Sequence, residues 1–403
     1  MAQNRMLTID DLTLAGKTVF LRVDLNTPID PETGRLLELN RVNEACVSIK
    51  DLGQSRVVVG SHQGRAGRYD YLPMSQHAQA LSEILDKQVR FVEDVCGPSA
   101  RETIDTLDDG EILLLDNLRF MAEENMEFTP EEASKTIFVQ RLYKYFDACV
   151  LDAFPTAHRA HPSIVGFAHL LPTCAGRLVA KELKALARIT NIEKGPYTTV
   201  LGGAKVSDRL EAIDTLIENR RADKVLLCGL LGNIFLKAAG KIRGKVESGE
   251  EKYVQRARHL LSKFPTTFEL PQDVATTKNG GRLEVDIGNL QSGQPLLDIA
   301  SKTIDHYSRI IRSSGTVFMS GPPGLFEKPE FSVGTELLLR AMASSLATTI
   351  VSGGHLSAAL QKFGIKESID HVSTAGGALV LFLAGKRLPL IEALERAAER
   401  QGR

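Results

Sequence analysis

Four places in the chain set arginine, histidine and small polar residues directly after an apolar run. Thr18–Val23 leads into Asp24-Leu25-Asn26, with Arg41 in the following segment. Arg56–Val59 leads through Gly60 into Ser61-His62-Gln63-Gly64-Arg65, and Ile112–Leu115 into Asp116-Asn117-Leu118-Arg119-Phe120. Ala148–Leu151 leads into Asp152-Ala153-Phe154 and then Thr156-Ala157-His158-Arg159-Ala160-His161. One arginine or histidine at a loop start is as readily a solvated group or a carbonyl cap. Arg41, Arg65, Arg119 and Arg159 delivered to one rim are harder to dismiss. Guanidinium forks bind phosphate and carboxylate bidentately and keep their charge at any working pH. Asp24 and Asn26 can accept hydrogen bonds from hydroxyls. The chemistry indicated is capture of a small anion carrying phosphate, carboxylate and hydroxyl groups. His62, His158 and His161 either add charge or are neutral core and capping residues; for His158 and His161 the supporting role is favoured.

A second set of residues is glycine-rich. Nine glycines fall in residues 1–170 and 24 in 171–403, many of the latter just after apolar runs. Leu201-Gly202-Gly203-Ala204-Lys205 opens a predicted helix over Val206–Glu218. Backbone amides at such a start can face a phosphate, with Lys205 in the first turn; an ordinary tight strand–helix turn is the plainer alternative. Ser320-Gly321-Pro322-Pro323-Gly324-Leu325-Phe326-Glu327 and Val351-Ser352-Gly353-Gly354-His355-Leu356 follow other runs, the second leading into a predicted helix over Ser357–Lys362. Glu327 either accepts from ribose hydroxyls or is a surface acid. Together these segments have the makings of a phosphate cradle beside a ribose clamp. The pattern is not a Walker loop, since Gly16-Lys17-Thr18 has Asp11 where that loop requires glycine. Nor is there a Gly-x-Gly-x-x-Gly fingerprint. Different chemistry at the strand ends of the two halves implies two ligands, not one duplicated site.

The elements that must position these residues are short apolar runs alternating with helical periodicity, which predicts parallel sheets wrapped by helices. Ligands of such sheets bind beyond the carboxyl ends of the strands, where these loops fall. Further strands are predicted at Val89–Val92, Thr198–Leu201, Lys224–Leu227, Thr267–Leu270, Thr316–Met319 and Thr348–Val351, and helices at Gln76–Asp86 and Pro130–Tyr145. The alternation runs twice, and 403 residues suit two α/β domains of roughly 150–200 residues. Pro172 stops the first half, and Cys174–Thr190 then reads as one stiff joining helix. A net charge of −1 gives no support for nucleic acid or membrane as partner. No apolar run approaches the ~20 residues of a membrane span, and the N-terminus lacks a secretory pattern. Cys46, Cys96, Cys149, Cys174 and Cys228 are odd in number and widely spread, as reduced thiols of a cytoplasmic protein would be.

In order and over nearly the whole chain, these motifs resemble the phosphoglycerate kinase family. The matching segments are Arg22–Pro28, Ser61–Arg65, Asp116–Phe120, Asp152–Phe154 with Thr156–His161, Lys181-Glu182-Leu183, Leu201–Val206, Gly321–Glu327 and His371-Val372-Ser373-Thr374. The resemblance implies an α/β fold of two Rossmann-like parallel-sheet domains joined by a helix, with an active-site cleft between them. It places a phosphoglycerate-binding domain at residues 1–172, the joining helix at 173–190 and a nucleotide-binding domain at 191–385. Residues 386–403 return to the first domain. The implied reaction is reversible in-line phosphoryl transfer between 1,3-bisphosphoglycerate and ADP, giving 3-phosphoglycerate and ATP with Mg2+, in glycolysis and gluconeogenesis. The acid substrate is assigned to Asp24, Leu25, Asn26, Arg41, His62, Gln63, Gly64, Arg65, Arg119 and Arg159. The nucleotide is assigned to Gly203, Lys205, Arg209, Glu327, Gly353, Gly354, His355 and Leu356. Arg41 and Lys205 are the positions that stabilise the transferring phosphoryl. A monomer is expected, with a dimer the alternative.

The chain also departs from the family pattern. His355 stands where many relatives carry the aspartate that meets magnesium, which leaves the protein ligand of the metal unassigned. Arg209 replaces a second lysine, Ser320 an asparagine and Ala375 a glycine. Gln63 and His355 look like the archaeal branch. The implied nucleophile is a carboxylate, ionised above a pKa of roughly 4, so no catalytic base is required and the burden is alignment and charge neutralisation. Helix-start amides at Gly353-Gly354 and Gly376-Gly377 would assist. Reactants on separate domains imply hinge bending, expected at Leu171–Thr173, Asn191–Pro196 and Lys386–Pro389. Two other readings are weaker. A kinase for a simpler carboxylate would leave several arginines unpaired, and a nucleotide-sensing scaffold without turnover has no need of Arg41 and Lys205.

Overall fold

Thr18–Val23 is buried at all six positions, as a strand covered by helices on both faces must be. It is the first of six strands in one part of the computed structural model, which describes residues 6–190, 195–204, 206–219, 222–242, 250–291, 293–373 and 375–402. The chain divides into a first unit, Met1–Lys184 with Arg387–Arg403, and a second, Ala185–Lys386. The division falls inside the helix Arg177–Thr190.

The first unit carries β1 (Thr18–Val23), β2 (Arg56–Gly60), β3 (Val89–Val92), β4 (Ile112–Leu115), β5 (Ala148–Asp152) and β6 (Thr173–Ala175). They form one parallel sheet in the order β3-β4-β2-β1-β5-β6. The chain works outward from one side of β1 and resumes on the other with β5, so the winding reverses between those two strands. In an open α/β sheet that reversal is where a ligand crevice opens. Val23 lies opposite Asp152, so β1 and β5 end level and release their loops side by side. Beneath them Val19, Leu21, Val57, Leu114 and Val150 pack in one core with Ala398. Ala398 comes from the last helix, Pro389–Arg400. That helix is tied down by Leu390 N donating to Ala157 O at 3.1 Å and by the Arg400 guanidinium donating to the Ala168 carbonyl.

The second unit carries β7 (Tyr197–Leu201), β8 (Lys224–Leu227), β9 (Phe268–Glu269), β10 (Asp273–Lys278), β11 (Gly281–Asp286), β12 (Asp298–Ile299), β13 (Thr316–Ser320), β14 (Thr348–Ser352) and β15 (His371–Ser373). Six of them make a second parallel sheet, β15-β14-β13-β7-β8-β9, while β11-β10-β12 form a small antiparallel one. Here the winding reverses between β7 and β13, and Leu201 lies opposite Ser320. Helix Ser301–Ser313 buries Thr303, Ile304, Tyr307, Ser308 and Ile311, the spacing of one helical face. The α/β class with two parallel sheets is as expected. Among the described residues, no helix is long and apolar enough to cross a membrane.

Two expected helices differ. Thr173–Ala175 is not the start of the joining helix but strand β6, pairing with Cys149–Leu151. Gly176 separates strand from helix because a Cβ there would stand 2.3 Å from the Asp152 carboxyl carbon. Pro130–Tyr145 is broken into Pro130–Ser134 and Ile137–Leu142, followed by a short turn. Thr136 caps the second piece, and the Glu123 carboxylate accepts from Ile137 N at 2.9 Å and Phe138 N at 3.0 Å.

Asp152 closes the start of the joining helix. Its Oδ1 accepts from Val179 N at 3.0 Å and its Oδ2 from Ser48 Oγ at 2.6 Å; Ser48 Oγ in turn accepts from Arg177 N at 2.8 Å. Burial pushes this carboxyl up to about 6, against about 3.9 in an unfolded chain. The folded protein therefore holds the proton more tightly. The resulting stability is full below about pH 4 and is lost as pH rises through about 6. Asp152→Asn, with no charge to bury, should gain about 2 kcal/mol on the parent between pH 4 and 7 in urea unfolding. A difference independent of pH would show that the acid is ionised throughout.

Candidate functional site

The loops after β1 and β2 are stitched together by their own polar residues. Leu25 N donates to Ser61 Oγ at 2.8 Å, and Gly64 N to Asn26 Oδ1 at 2.9 Å. Gln63 is fully buried; its Oε1 accepts from Thr27 N at 3.0 Å and its Nε2 donates to Thr27 O at 2.9 Å. Its side chain thus braces the β1 loop. Gly64 has φ +65°, and a Cβ there would fall 2.1 Å from Asp70 O, so no other residue fits. Gln63→Ala would leave the Thr27 amide and carbonyl buried without partners, a cost of about 2 kcal/mol. A lowered urea midpoint with an unchanged nucleotide KM is the expected result.

The cationic side chains sit on this frame. Arg41 Nη1 donates to Asp24 Oδ2 at 2.5 Å; the carboxylate is 2% exposed and the guanidinium 25%. Arg119 Nη1 donates to the Gly64 carbonyl, and Arg119 N to Asn117 Oδ1 at 3.1 Å. Burial, with Arg22 and Arg65 adding repulsion, brings Arg119 down to about 10, which leaves it a cation at neutral pH. Arg65 is exposed. Arg159 pairs with Glu127 at 3.0 Å with both side chains about half exposed, a pair worth little.

Behind this rim lies a buried cluster of Arg22, His62, Glu124, His161 and Ser163. Burial, then Arg22 and Arg119, hold His62 well below the ordinary imidazole range. The same causes push His161 down to about 3. Both shifts favour the neutral ring, the second of the two alternatives for these histidines. Glu124 is the member that sequence reasoning missed. It lies in Ala122-Glu123-Glu124-Asn125, which reads as a solvated acidic turn, yet it is fully buried.

In the second unit the glycines interlock at the sheet reversal. Gly202 N donates to Ser320 O at 2.9 Å and Gly203 N to Pro322 O at 2.8 Å. A Cβ on Gly202 would stand 2.6 Å from Pro322 O, and one on Gly321 (φ +80°) 2.4 Å from Gly202 O. Arg209 is buried with its Nη2 against this contact, 2.7 Å from where a Gly321 Cβ would be. Gly353 (φ +111°) follows β14 and caps the helix Gly354–Lys362, so the helix begins three residues before the predicted Ser357. Its first amides, at Gly354 and His355, are on exposed residues, while Leu356 is buried. The His355 ring lies 5.9 Å from that of Phe326, next to exposed Glu327. The structure thus groups Gly203 with Arg209, and His355 with the Phe326–Glu327 segment. Lys205, Thr374 and residues 191–194 of the Asn191–Pro196 segment lie outside the described residues. Among the described residues no group of three or more His, Cys, Asp or Glu could hold a metal ion.

The first unit therefore gathers guanidinium groups after its strands, and the second gathers backbone at glycine turns. The family model described as phosphoglycerate kinase matches residues 9–386. Phosphoglycerate kinase of Methanothermobacter thermautotrophicus is 42% identical over 399 residues, covering 97% of each chain. That of Sulfurisphaera tokodaii is 42% identical over 396 residues, covering 96% of this chain and 95% of the relative. The crystal structure of phosphoglycerate kinase from Pyrococcus horikoshii matches with a TM-score of 0.91 at 38% identity, covering 98% of this chain and 100% of that one. The corresponding structure from Coxiella burnetii matches with a TM-score of 0.76 at 32% identity over the same shares.

Proposed function

Because the chain belongs to the phosphoglycerate kinase family, we propose that its first unit holds the acid substrate and its second the nucleotide. The enzyme is a phosphotransferase, moving a phosphoryl group between 1,3-bisphosphoglycerate and ADP to give 3-phosphoglycerate and ATP, a step of glycolysis. The observation that carries the site assignment is the Asp24–Arg41 pair beside Arg119, fixed on loops that Gln63, Asn26 and Ser61 hold rigid. Purified protein should form ATP from ADP and 1,3-bisphosphoglycerate. Turnover of acetyl phosphate or carbamoyl phosphate in its place would move the reading to a simpler acyl-phosphate kinase.

In the ATP-consuming direction the nucleophile is the glycerate carboxylate, already an anion at neutral pH. No side chain need take a proton from it. What the protein supplies is alignment and positive charge where the transferring phosphoryl collects negative charge. Arg41 supplies that charge from the acid side and Lys205 from the nucleotide side. The start of helix Gly354–Lys362 directs backbone amides at the nucleotide phosphates, and Glu327 takes the ribose. Reactants held on different units must be brought together, so the reading includes bending at Leu171–Thr173, Asn191–Pro196 and Lys386–Pro389. Small-angle scattering should show compaction only with both ligands bound. We place the enzyme in the cytoplasm, acting as a monomer.

Magnesium enters with the nucleotide, as part of the substrate, its oxygens coming from phosphate and water. His355 is exposed and offers a nitrogen where a hard cation prefers oxygen. With phosphate and water supplying its ligands, His355→Asp should leave the magnesium concentration for half-maximal rate within about twofold. A gain of ten times or more in magnesium affinity would show that an acid at this position holds the metal.

A further inference from the structure

Arg22 is fully buried, and each edge of its guanidinium is spoken for. Nε donates to Ser163 Oγ at 2.7 Å, Nη1 donates to the Val23 carbonyl, and Nη2 lies 3.2 Å from His62 Nδ1. Ser163 is itself held by Glu124, with Ser163 N donating to Glu124 Oε2 at 3.0 Å and Ser163 Oγ donating to Oε1. Glu124 Oε1 stands 3.8 Å from Arg22 Nη2. Glu124 is the carboxylate that acts most strongly on this buried guanidinium, ahead of Asp24.

A guanidinium has five donors and no acceptor. Its contact with His62 Nδ1 therefore requires a lone pair on that nitrogen, which leaves the ring proton on Nε2. A doubly protonated ring would set two donors face to face. The charged and titratable groups around His62 all act the same way: Arg22 on β1, Arg119 after β4, His161 after β5 and Arg41. Nε2 is the ring nitrogen that Arg22 does not engage.

We infer that Glu124 is a positioning residue for the acid substrate, acting through Ser163 and Arg22 to hold the His62 ring with its proton on Nε2, as a donor to a substrate oxygen. His62 is then a neutral, oriented hydrogen-bond donor among the arginines. It discriminates by direction where they attract by charge. An oriented donor turns away a ligand whose oxygen falls elsewhere, which bare positive charge does not. The inference deepens the assignment of the acid substrate to the first unit and rests on it.

The test begins on the unaltered full-length chain labelled with 15N-histidine, the His62 signals assigned by their loss in His62→Asn. Nδ1 should resonate as an unprotonated nitrogen and Nε2 as a protonated one, without titration from pH 5 to 8, and 3-phosphoglycerate should shift Nε2. A second measurement uses Glu124→Gln. The KM for 3-phosphoglycerate should rise about tenfold, with the nucleotide KM unchanged, and His62 should begin to titrate or exchange tautomers. A proton on Nδ1 in the parent overturns the inference even if Glu124→Gln fails to fold. So does an unchanged acid KM in Glu124→Gln while Arg119→Ala raises it, a result that leaves the substrate assignment standing. If Arg119→Ala leaves the acid KM unchanged as well, the assignment falls and the inference with it.

Discussion

Arg41→Ala should lower kcat by about 10³ while leaving the nucleotide KM within about twofold. An arginine that meets the transferring phosphoryl stabilises charge that exists only in the transition state, so its loss falls on turnover and not on ground-state binding. The structure equips Arg41 for this. Its Nη1 is anchored on the buried Asp24 carboxylate while a quarter of the side chain stays open to a ligand. Removing it also leaves Asp24 unpaired, so stability must be read beside the rate. Arg41→Lys separates the two effects. The ammonium restores a charge for Asp24 but not the planar fork, so stability should recover and kcat should stay far below the parent. Equal loss of kcat and of nucleotide affinity in Arg41→Ala would make the residue structural.

Gly321→Ala should cost about 3 kcal/mol, from about 1–2 kcal/mol for a left-handed backbone and about 1–3 kcal/mol for overpacking. The new methyl would meet Gly202 O at 2.4 Å and Arg209 Nη2 at 2.7 Å, both at the sheet reversal. Relief requires the β7 and β13 loops to part, which moves Gly203 and Arg209 together. We expect a thermal midpoint lower by about 10 °C and a nucleotide KM raised at least about tenfold, with the acid KM unaffected. Gly240→Ala is the control, since Gly240 has φ +68° but nothing within 4 Å of its Cβ position. It should lose only the conformational part, about 1 kcal/mol, and keep its nucleotide KM. Equal effects at the two positions would mean that the close approach of the two loops is unimportant.

Much of the two parallel sheets was legible from residue type because most of their strands are buried and appear as mainly apolar runs. Thr18–Val23, Val89–Val92, Ile112–Leu115 and Lys224–Leu227 have the predicted bounds. Other strands, such as Arg56–Gly60 and Ala148–Asp152, extend by a residue into the loop that carries the chemistry. Thr173–Ala175 was not legible. It is three residues long, its Cys174 also fits the helical periodicity beyond it, and the need for Gly176 arises only from Asp152, distant in sequence. The break at Thr136 was hidden in the same way, since it depends on Glu123 reaching two amides from another segment.

The site divides along the same line. Arginines after several strands stand out together, although any one of them is as readily a solvated group or a carbonyl cap. The residues that set their geometry do not stand out. Glu124 looks like its partly exposed neighbour Glu123, and nothing local says which of the two is fully buried. Gln63 stood out for its position, while its engagement with the Thr27 backbone depends on how the β1 loop folds over it. Whether His62 is charged could not be read from its type, because the answer lies in Arg22, buried behind it.

The first unit is built from two stretches of chain with the whole second unit between them. Its core includes Ala398, and its loop at Ala157 is tied to Leu390. A ribosome working at about 5–20 residues per second finishes the second unit before it supplies these contacts. The first unit, whose six strands are all made before residue 176, therefore waits with an open seam until the closing helix emerges. Its nascent form is exposed to chaperones and proteases for that interval, and a chain truncated after residue 386 would lack the helix that closes it.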